Sequence, residues 1–265
     1  MTGPLDGIRV LDLCQLAVGP YGASLLGQLG AQVIKIEEPK GDPIRNLLPE
    51  QNGVGTYYTA VNQNKINIAL NLKEPADLAI ALGLAERADI IVENFRPGAM
   101  DRAGMGYDAI RALNPDIVYC SSSGYGNRGP RRLEGSADGY ARSFTAFDAS
   151  NGPVGGDGQR FRSKGHIDHL CSTFVAQTAL AGLAARARFG VGQKVETSMA
   201  QATMVYQTSR IAEYFATGEQ PPALGSATTN LVPHQAFKTS DGYIAVGPNT
   251  QDPSSRAPRS SCPAP

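Results

Sequence analysis

The side chain best suited to chemistry in this sequence is Asp168, a lone carboxylate at the start of a long apolar segment. The segment runs from Lys164 to Ala187, has apolar and small residues at helical spacing, and carries no further charge until Arg186. An aspartate at that position caps the helix by accepting backbone N–H bonds, or it acts as a nucleophile or acid–base group at the rim of a site. The segment alone favours the cap, which is the commoner use.

Other residue types that bind metals or act as nucleophiles are few. His166 and His169 stand three residues apart, and His234 lies elsewhere. A zinc site needs further cysteine or acidic partners at ligand spacing, so we expect no resident metal. The four cysteines have no C-x-x-C spacing. They fit reduced, buried thiols, and we therefore expect a cytoplasmic protein.

The composition argues against several classes of partner. Hydrophobic residues make up 42% of the 265 residues, and 24 Lys and Arg balance 24 Asp and Glu. Such a chain can bury a large core, but it has no net charge to attract nucleic acid or an anionic membrane. The N-terminus has no basic region followed by an apolar core, and no apolar run approaches about 18 residues. We expect neither a signal peptide nor a membrane span.

Strands and helices alternate ahead of Asp168 and predict the framework that positions it. Ile8–Leu13 is typical of a buried strand, Tyr21–Leu29 of a helix between Pro20 and Gly30, and Gln32–Glu37 of a second strand. This βαβ unit predicts a parallel sheet. The pattern continues with strands at Asn67–Leu70, Asp89–Glu93 and Asp116–Ser121, and with helices at about 75–87 and 107–113. We expect a doubly wound, mostly parallel, Rossmann-like α/β sheet with a long buried helix.

In open sheets of this kind, ligands bind outside the carboxyl ends of the strands. The segments there are Gln15–Pro20, Asn94–Gly98 and Ser121–Gly126. A dinucleotide fingerprint is not present, because the first turn reads AVGPYG and Pro20 stands where a glycine should let a pyrophosphate approach. NAD therefore does not follow, although the helix start keeps free N–H groups for another nucleotide-like ligand.

The remaining segments predict how the chain is divided. Gly41–Tyr58 is typical of an irregular, exposed excursion, 137–147 and 198–215 of helices, and Gln235–Val246 of a β-hairpin. The last residues are rich in Ser and Pro without periodicity. We expect a large domain at 1–200, a helix and linker at 201–224, the start of an incomplete small domain at 225–249, and a disordered tail at 250–265.

Several motifs in one order resemble the family III CoA-transferases, the group that includes formyl-CoA transferase, carnitine CoA-transferase and α-methylacyl-CoA racemase. The motifs span about residues 4–249: PLDGIRVLDL, VGPYGASLLGQLGAQVIKIE, Gly41-Asp42-Pro43-Ile44-Arg45, Asn64-Lys65, DIIVENFRPGAMDRAGMGYDAIRALNPDIVYCSSSGYG, VGQKVETSM and FKTSDGYIAVG. The resemblance implies a CoA-binding large domain and an interlocked homodimer. Family members continue well beyond Gly247, so we expect this chain to be truncated at its C-terminus.

The resemblance also implies a nucleophilic carboxylate. In the family, an Asp at the start of an apolar helix attacks the acyl-CoA thioester and forms a mixed anhydride. The CoA thiolate then forms an aspartyl-CoA thioester, from which an incoming carboxylic acid collects the CoA. Counting back from the family's strand entry at Gly192-Gln193 lands on Asp168 without a gap. The resemblance therefore favours a nucleophile over a helix cap as the role of Asp168. Asp138, the rival carboxylate, fits a structural or substrate-side group.

The same resemblance implies where CoA binds. Its acidic and polar groups would meet the residues that match the family's CoA loops, namely Leu16, Ala17, Val18, Leu72, Lys73, Asn94, Phe95, Arg96 and Arg102. Glu38 is a departure, since some members have a basic residue there. CoA and acyl-CoA are implied as substrates, with no permanently bound cofactor, and the second substrate is a small carboxylic acid.

Two other functions stay open. In the racemase branch a His stands directly before the position of Asp138, and here that position is Ala137. A two-base proton transfer needs a base on each face of the substrate, so an acyl-CoA racemase or epimerase is the alternative. The other alternative is an inactive, truncated paralogue that only binds CoA.

Overall fold

The computed structural model describes residues 3–154, 165–229 and 231–247. These residues fall into two compact units, one within Met1–Arg142 and Lys164–Tyr206, the other within Ser143–Ser163 and Gln207–Pro265. The tail expected at 250–265 lies outside the described residues. The division into domains at 1–200, 201–224 and 225–249 stays a prediction.

The structure has these elements in chain order. The strands are β1 Arg9–Asp12, β2 Gln32–Glu37, β3 Glu50–Gln51, β4 Val54–Gly55, β5 Lys65–Ala69, β6 Ile90–Glu93, β7 Val118–Ser123, β8 Gln193–Ser198, β9 Gln235–Lys238 and β10 Tyr243–Val246. The helices are α1 Val18–Gln28, α2 Thr56–Val61, α3 Pro75–Glu86, α4 Ala99–Arg102, α5 Tyr107–Leu113, α6 Asp138–Phe144, α7 Phe147–Ser150, α8 His166–Phe189, α9 Met199–Tyr206 and α10 Thr208–Thr217.

The first unit contains a six-stranded sheet in the order β5-β2-β1-β6-β7-β8. Every neighbouring pair in it is parallel. The chain winds outward from β1 through β2 and β5, then returns to the other side of β1 for β6, β7 and β8. The order therefore reverses between β1 and β6, which is the topological switch point of a doubly wound sheet. The predicted fold class is confirmed.

Alternate residues of the strands point to opposite faces of the sheet and fill two separate cores. Val10 and Ile90 belong to the core beneath α1 and α8, whereas Leu11 and Ile91 belong to the core with α3 and α5. The helix α8 buries one side and matches the long helix predicted at 164–187. Gly22 lets α1 approach α8, because a Cβ there would lie 2.6 Å from a Val175 methyl carbon. Among the helices that the structure describes, none is long and apolar enough to cross a bilayer.

Two helix predictions differ from the structure at Pro20 and Gln207. The helix α1 begins three residues before the predicted Tyr21 and takes Pro20 into its first turn, where a missing N–H breaks no intrahelical bond. The helix predicted at 198–215 is interrupted at Gln207, which separates α9 from α10. Gln207 is buried and its side-chain amide donates to the backbone carbonyl of Thr145 at 3.1 Å.

The exposed excursion predicted at 41–58 is wrong in part. It contains a 3₁₀ turn at Pro43–Asn46 and the first half of α2, and Asp42, Ile44 and Tyr58 are buried. The physical reason is a pair of ionic contacts that hold the segment against β2. Arg45 Nε lies 2.7 Å from Glu37 Oε2, and Asp42 Oδ2 lies 3.2 Å from Lys35 Nζ. The sequence pattern of Gly, Pro and Asn does not reveal such long-range contacts.

Candidate active site

Two loops meet at the switch point, one after β1 and one after β6. Asn94 joins them, because its Nδ2 donates to the Gln15 carbonyl at 2.8 Å and its Oδ1 accepts the Gln15 N–H at 2.9 Å. Ligands of open α/β sheets bind in the crevice at this point. The side chain of Asn94, predicted to contact CoA, thus also fixes how far apart the two loops stand.

Buried charges support the loop after β1 from within the sheet. Lys35 on β2 is fully buried, with its Nζ 3.2 Å from the Asp42 carboxylate and donating to the Cys14 carbonyl at 2.6 Å. Burial acts to lower the pKa of Lys35, but the Asp12 and Asp42 carboxylates outweigh it and raise the pKa. Asp42 also accepts the Leu16 N–H at 3.0 Å. These bonds hold Leu16 at a φ of 63°, with half of its surface exposed.

Lys65 completes this network on the other side of Asp12. Its Nζ donates to Asp12 Oδ2 at 2.7 Å, to the Pro20 carbonyl at 2.6 Å and to Asn62 Oδ1 at 2.8 Å. Burial alone would raise the pKa of Asp12, but the two lysines lower it. The sequence reasoning recorded the Asn64-Lys65 motif without a function. The signal that was missed is a lysine beside the apolar residues of each of two strands, Lys35 in β2 and Lys65 in β5, because such a charge is buried only with a partner.

A cavity of about 700 Å³ opens beside the crevice. Four of the predicted CoA-binding residues line it: Leu72, Lys73, Phe95 and Arg102. Glu38, the departure from the family pattern, lines it as well. This volume lies within the range of small-molecule sites, about 300–1,000 Å³. Its two cations suit phosphate groups and its apolar walls suit a hydrocarbon chain. Three further carboxylates, those of Glu37, Asp42 and Asp101, also line it.

A second cavity, of about 240 Å³, holds the candidate nucleophile Asp168. The other predicted site residues that line it are Leu16, Ala17, Val18, Asn94, Phe95 and Arg96. Phe95 belongs to the walls of both cavities. The structure therefore brings all ten predicted site residues to two cavities that share a side chain.

Asp168 is the third residue of α8, but it does not cap that helix. Asp138 does so, because its Oδ2 accepts the Ile167 N–H at 2.7 Å. Asp138 also lies 3.6 Å from the Arg142 guanidinium. The structural interpretation of Asp138 agrees with these contacts. The cap interpretation of Asp168 does not, which leaves its carboxylate for other chemistry.

The environment of Asp168 disfavours the ionised form of its carboxyl group. Burial, together with the charge of Asp138, raises the pKa of Asp168 from 3.8 to about 6. At neutral pH the group is therefore mostly ionised, and among the described residues no donor bonds to it. A partly desolvated carboxylate without hydrogen-bond partners is a stronger nucleophile than a solvated one. Within the part of the chain that the structure describes, no three His, Cys, Asp or Glu side chains stand together as a metal site.

Tyr57, which the sequence reasoning did not single out, lies beside the first turn of α8. Its Oη is 3.1 Å from Nε2 of His169. Burial raises the pKa of Tyr57 to about 12, and the charges of Asp168 and Asp138 add to this, so the phenol stays protonated at neutral pH. Gly165 precedes the helix with a φ of 70°, and a Cβ there would lie 2.6 Å from Tyr57 Oη. Only glycine meets both conditions without strain.

The fold and the two cavities define a doubly wound α/β protein with its ligand crevice at the switch point. The profile of CoA-transferase family III matches residues 5–258. The chain is 37% identical over 246 residues to the succinyl-CoA:glutarate CoA-transferase of Mus musculus, covering 92% of this chain and 56% of that protein. It is 34% identical over 245 residues to the acetyl-CoA:oxalate CoA-transferase of Acetobacter aceti, covering 92% and 63%.

A solved structure is also similar, a CAIB/BAIF family protein from Brucella suis. The TM-score is 0.84 at 30% identity, over 93% of this chain and 66% of that one. The chain belongs to CoA-transferase family III, and the resemblance read from its motifs is confirmed. It spans 56% to 63% of the length of the two curated relatives named above.

Proposed function

We propose that this protein transfers CoA from an acyl-CoA thioester to a carboxylic acid, with Asp168 as the nucleophile. The observation that carries the proposal is the position of the Asp168 carboxylate, to which no described residue donates a hydrogen bond, in a small cavity that shares Phe95 with a larger one. The names of two relatives, succinyl-CoA:glutarate CoA-transferase and acetyl-CoA:oxalate CoA-transferase, support the same reaction type.

The proposed reaction balances without an external proton donor. A carboxylate oxygen of Asp168 attacks the thioester carbonyl, the C–S bond breaks, and CoA leaves as a thiolate with the electron pair. The thiolate attacks the aspartyl carbonyl of the anhydride, which releases the donor acid and leaves an aspartyl-CoA thioester. The acceptor carboxylate attacks that thioester and expels CoA again. The thiolate then attacks the acceptor's acyl carbonyl, and Asp168 is regenerated.

The other predicted residues would hold the substrate for these steps. Lys73 and Arg102 would bind phosphates of CoA in the larger cavity, and Leu72 and Phe95 would contact its apolar parts. The passage past Phe95 would lead the thioester end toward Asp168. Positioning a weak nucleophile against its target in this way can supply a large share of the rate.

The assembly and location of the protein belong to the same proposal. A homodimer follows from the family resemblance, and sedimentation of the purified chain tests it. Buried, free thiols at Cys14, Cys120 and Cys171 support a cytoplasmic location, where thiols stay reduced.

Trapping the intermediate tests the chemistry. The chain is incubated with an acyl-CoA and hydroxylamine, digested, and analysed by mass spectrometry. We expect a hydroxamate at Asp168 in the natural chain and none in Asp168→Ala. Undiminished transfer of CoA by Asp168→Ala would refute the proposal. Solvent deuterium at the substrate's α-carbon without CoA exchange would favour the racemase alternative. Binding of CoA in calorimetry without any transfer would favour the inactive one.

A further inference from the structure

We infer that Glu93, a buried carboxylate at the end of β6, is a positioning residue that holds Phe95 where the two cavities meet. The inference rests on the proposed function and deepens it, because the thioester end of CoA would pass Phe95 on its way to Asp168. Glu93 itself lines neither of these two cavities. Its effect on the reaction therefore acts through Phe95.

Two donors share the carboxylate of Glu93. Its Oε2 accepts the backbone N–H of Phe95 at 2.9 Å, and its Oε1 accepts the hydroxyl of Ser121 on β7. Glu93 and Ser121 are paired residues of neighbouring parallel strands, which is why the side chain of Glu93 reaches across to β7. The carboxylate thus joins the first turn of the loop after β6 to the sheet.

The burial of this carboxylate is unusual for a group of its charge. Glu93 is only 6% exposed, and no cation among the described residues lies within ion-pair distance of it. Burial raises the pKa of Glu93, and the hydrogen bonds from Ser121 and from the Phe95 N–H act in the opposite direction. Apolar packing alone does not call for such a group. What the carboxylate provides is an acceptor for the Phe95 N–H, which an apolar side chain at position 93 would remove.

Three consecutive residues at the end of β6 have different partners. Glu93 bonds to β7, Asn94 bonds to Gln15 in the loop after β1, and Phe95 lines both cavities. The bonds of Asn94 set the separation of the two loops. The bond from the Phe95 N–H to Glu93 sets the course of the chain one residue further on. The position of the Phe95 side chain between the cavities therefore depends on Glu93.

A displaced Phe95 would affect the reaction more than it affects the binding of CoA. The phosphates of CoA would still meet Lys73 and Arg102 in the larger cavity. The thioester carbonyl, however, must come within about 3–3.5 Å of the Asp168 carboxylate, and a misplacement of about 1 Å can cost about a hundredfold in rate. Loss of the Glu93 carboxylate should thus lower the rate of the chemical step and leave the affinity for CoA nearly unchanged.

Three variants of the full chain test the inference. Glu93→Met removes both acceptors, Glu93→Gln keeps a carbonyl oxygen for the Phe95 N–H, and Ser121→Ala removes only the bond to β7. In Glu93→Met, the rate of hydroxamate formation at Asp168 from acetyl-CoA and hydroxylamine should fall about tenfold or more, while the Kd of CoA in calorimetry changes by less than about threefold. Both other variants should keep the trapping rate within about threefold of the natural chain, because the Phe95 N–H keeps its acceptor.

A second measurement requires no reaction. S-propyl-CoA is a thioether that a carboxylate does not cleave, and its propyl group reports whether the passage past Phe95 toward Asp168 is open. The natural chain should bind S-propyl-CoA about tenfold more tightly than CoA, because the burial of three carbons contributes at least that much. In Glu93→Met this preference should fall below about threefold, and in Glu93→Gln it should return.

The outcomes separate this inference from the proposed function. A folded Glu93→Met with the natural trapping rate and the natural preference for S-propyl-CoA would overturn the inference and leave the chemistry at Asp168 standing. Equal losses in Glu93→Gln and Glu93→Met would also overturn it, since the charge and not the bond to Phe95 would then matter. A preference that depends on Glu93 as expected, without any trapped intermediate in the natural chain, would refute the chemistry and support the positioning role.

Two controls complete the experiment. Thermal melting of each variant verifies that it is folded. Amide hydrogen exchange in the natural chain needs no variant, and the Phe95 N–H should be protected there by its bond to Glu93. An unprotected Phe95 N–H would overturn the inference, whereas a natural chain that binds neither CoA nor S-propyl-CoA would refute the inference and the proposed function together.

Discussion

Replacing Asp168 by Asn should make the folded protein more stable while it abolishes acyl transfer. The reason is that the fold holds this carboxyl where ionisation is unfavourable. Burial and the charge of Asp138 raise the pKa of Asp168 to about 6 in the folded chain, whereas its ordinary value is 3.8. The folded state therefore binds the proton more tightly than the unfolded state, and losing that proton at higher pH destabilises the fold.

The size of the effect follows from the two pKa values. Each pH unit between them is worth about 1.4 kcal/mol, so ionised Asp168 lowers the free energy of unfolding by about 3 kcal/mol above pH 6. The cost is nearly absent below about pH 3, because both states are then largely protonated. It grows between the two pKa values and reaches about half of its full size near pH 5. A neutral amide avoids it, and Asp168→Asn should gain about 3 kcal/mol at pH 7.5 and about half of that at pH 5.

Urea unfolding of both proteins at the two pH values measures this difference. Comparing the variants at one pH cancels the other titrations to first order, including that of His169, whose pKa burial lowers. Asp6→Asn is the control, because Asp6 is exposed, and it should change the free energy of unfolding by less than about 0.5 kcal/mol at both pH values. An Asn variant at position 168 that is no more stable at pH 7.5, or a gain that does not fall toward pH 5, would refute the reasoning.

Two further substitutions test the elements that position Asp168. Lys65→Met should cost about 3–5 kcal/mol in urea unfolding, because Asp12 then stays buried with one lysine fewer; the exposed Lys40→Met should cost little, and a loss below about 1 kcal/mol at position 65 would contradict the need for pairing. Asp138→Ala should cost about 1 kcal/mol, the usual worth of a helix cap. It should also lower the pKa of Asp168, so that trapping by hydroxylamine as a function of pH has its midpoint at lower pH; an unmoved midpoint would mean that burial alone raises that pKa.

The framework was predictable because its signals are local. The strand Gln32–Glu37 has the predicted bounds, and Tyr107–Leu113 ends at the predicted residue. Apolar periodicity and glycine punctuation decide such elements within a window of a few residues. The parallel, doubly wound sheet followed from the alternation of strands and helices together with the handedness rule. The three segments at the strand ends also contributed to the cavities as expected, because parallel strands end at one edge.

What the sequence did not reveal depends on contacts between distant residues. Lys65 reaches Asp12 across 53 positions, and no local pattern links a lysine in one strand to a carboxylate in another. For the same reason the segment 41–58 looked like an exposed loop, although Asp42 is buried against Lys35. Arg96 is a further example. Its match to the family suggested a CoA contact, which stays a prediction, and its guanidinium lies against Gly135, 39 positions further along the chain, in the wall of the same cavity.

The two carboxylates near the start of α8, Asp138 and Asp168, lie in different surroundings. Asp138 accepts a helix N–H and lies beside a guanidinium, so its charge is satisfied within the fold. Asp168, one residue beyond that N–H, has no donor among the described residues, and its pKa is raised. Opposite environments for neighbouring carboxylates are how enzymes assign them different tasks. Because Asp138 accepts the helix N–H, the helix start does not depend on a hydrogen bond from Asp168 to a described residue, and the charge of Asp138 adds to burial in raising the pKa of Asp168.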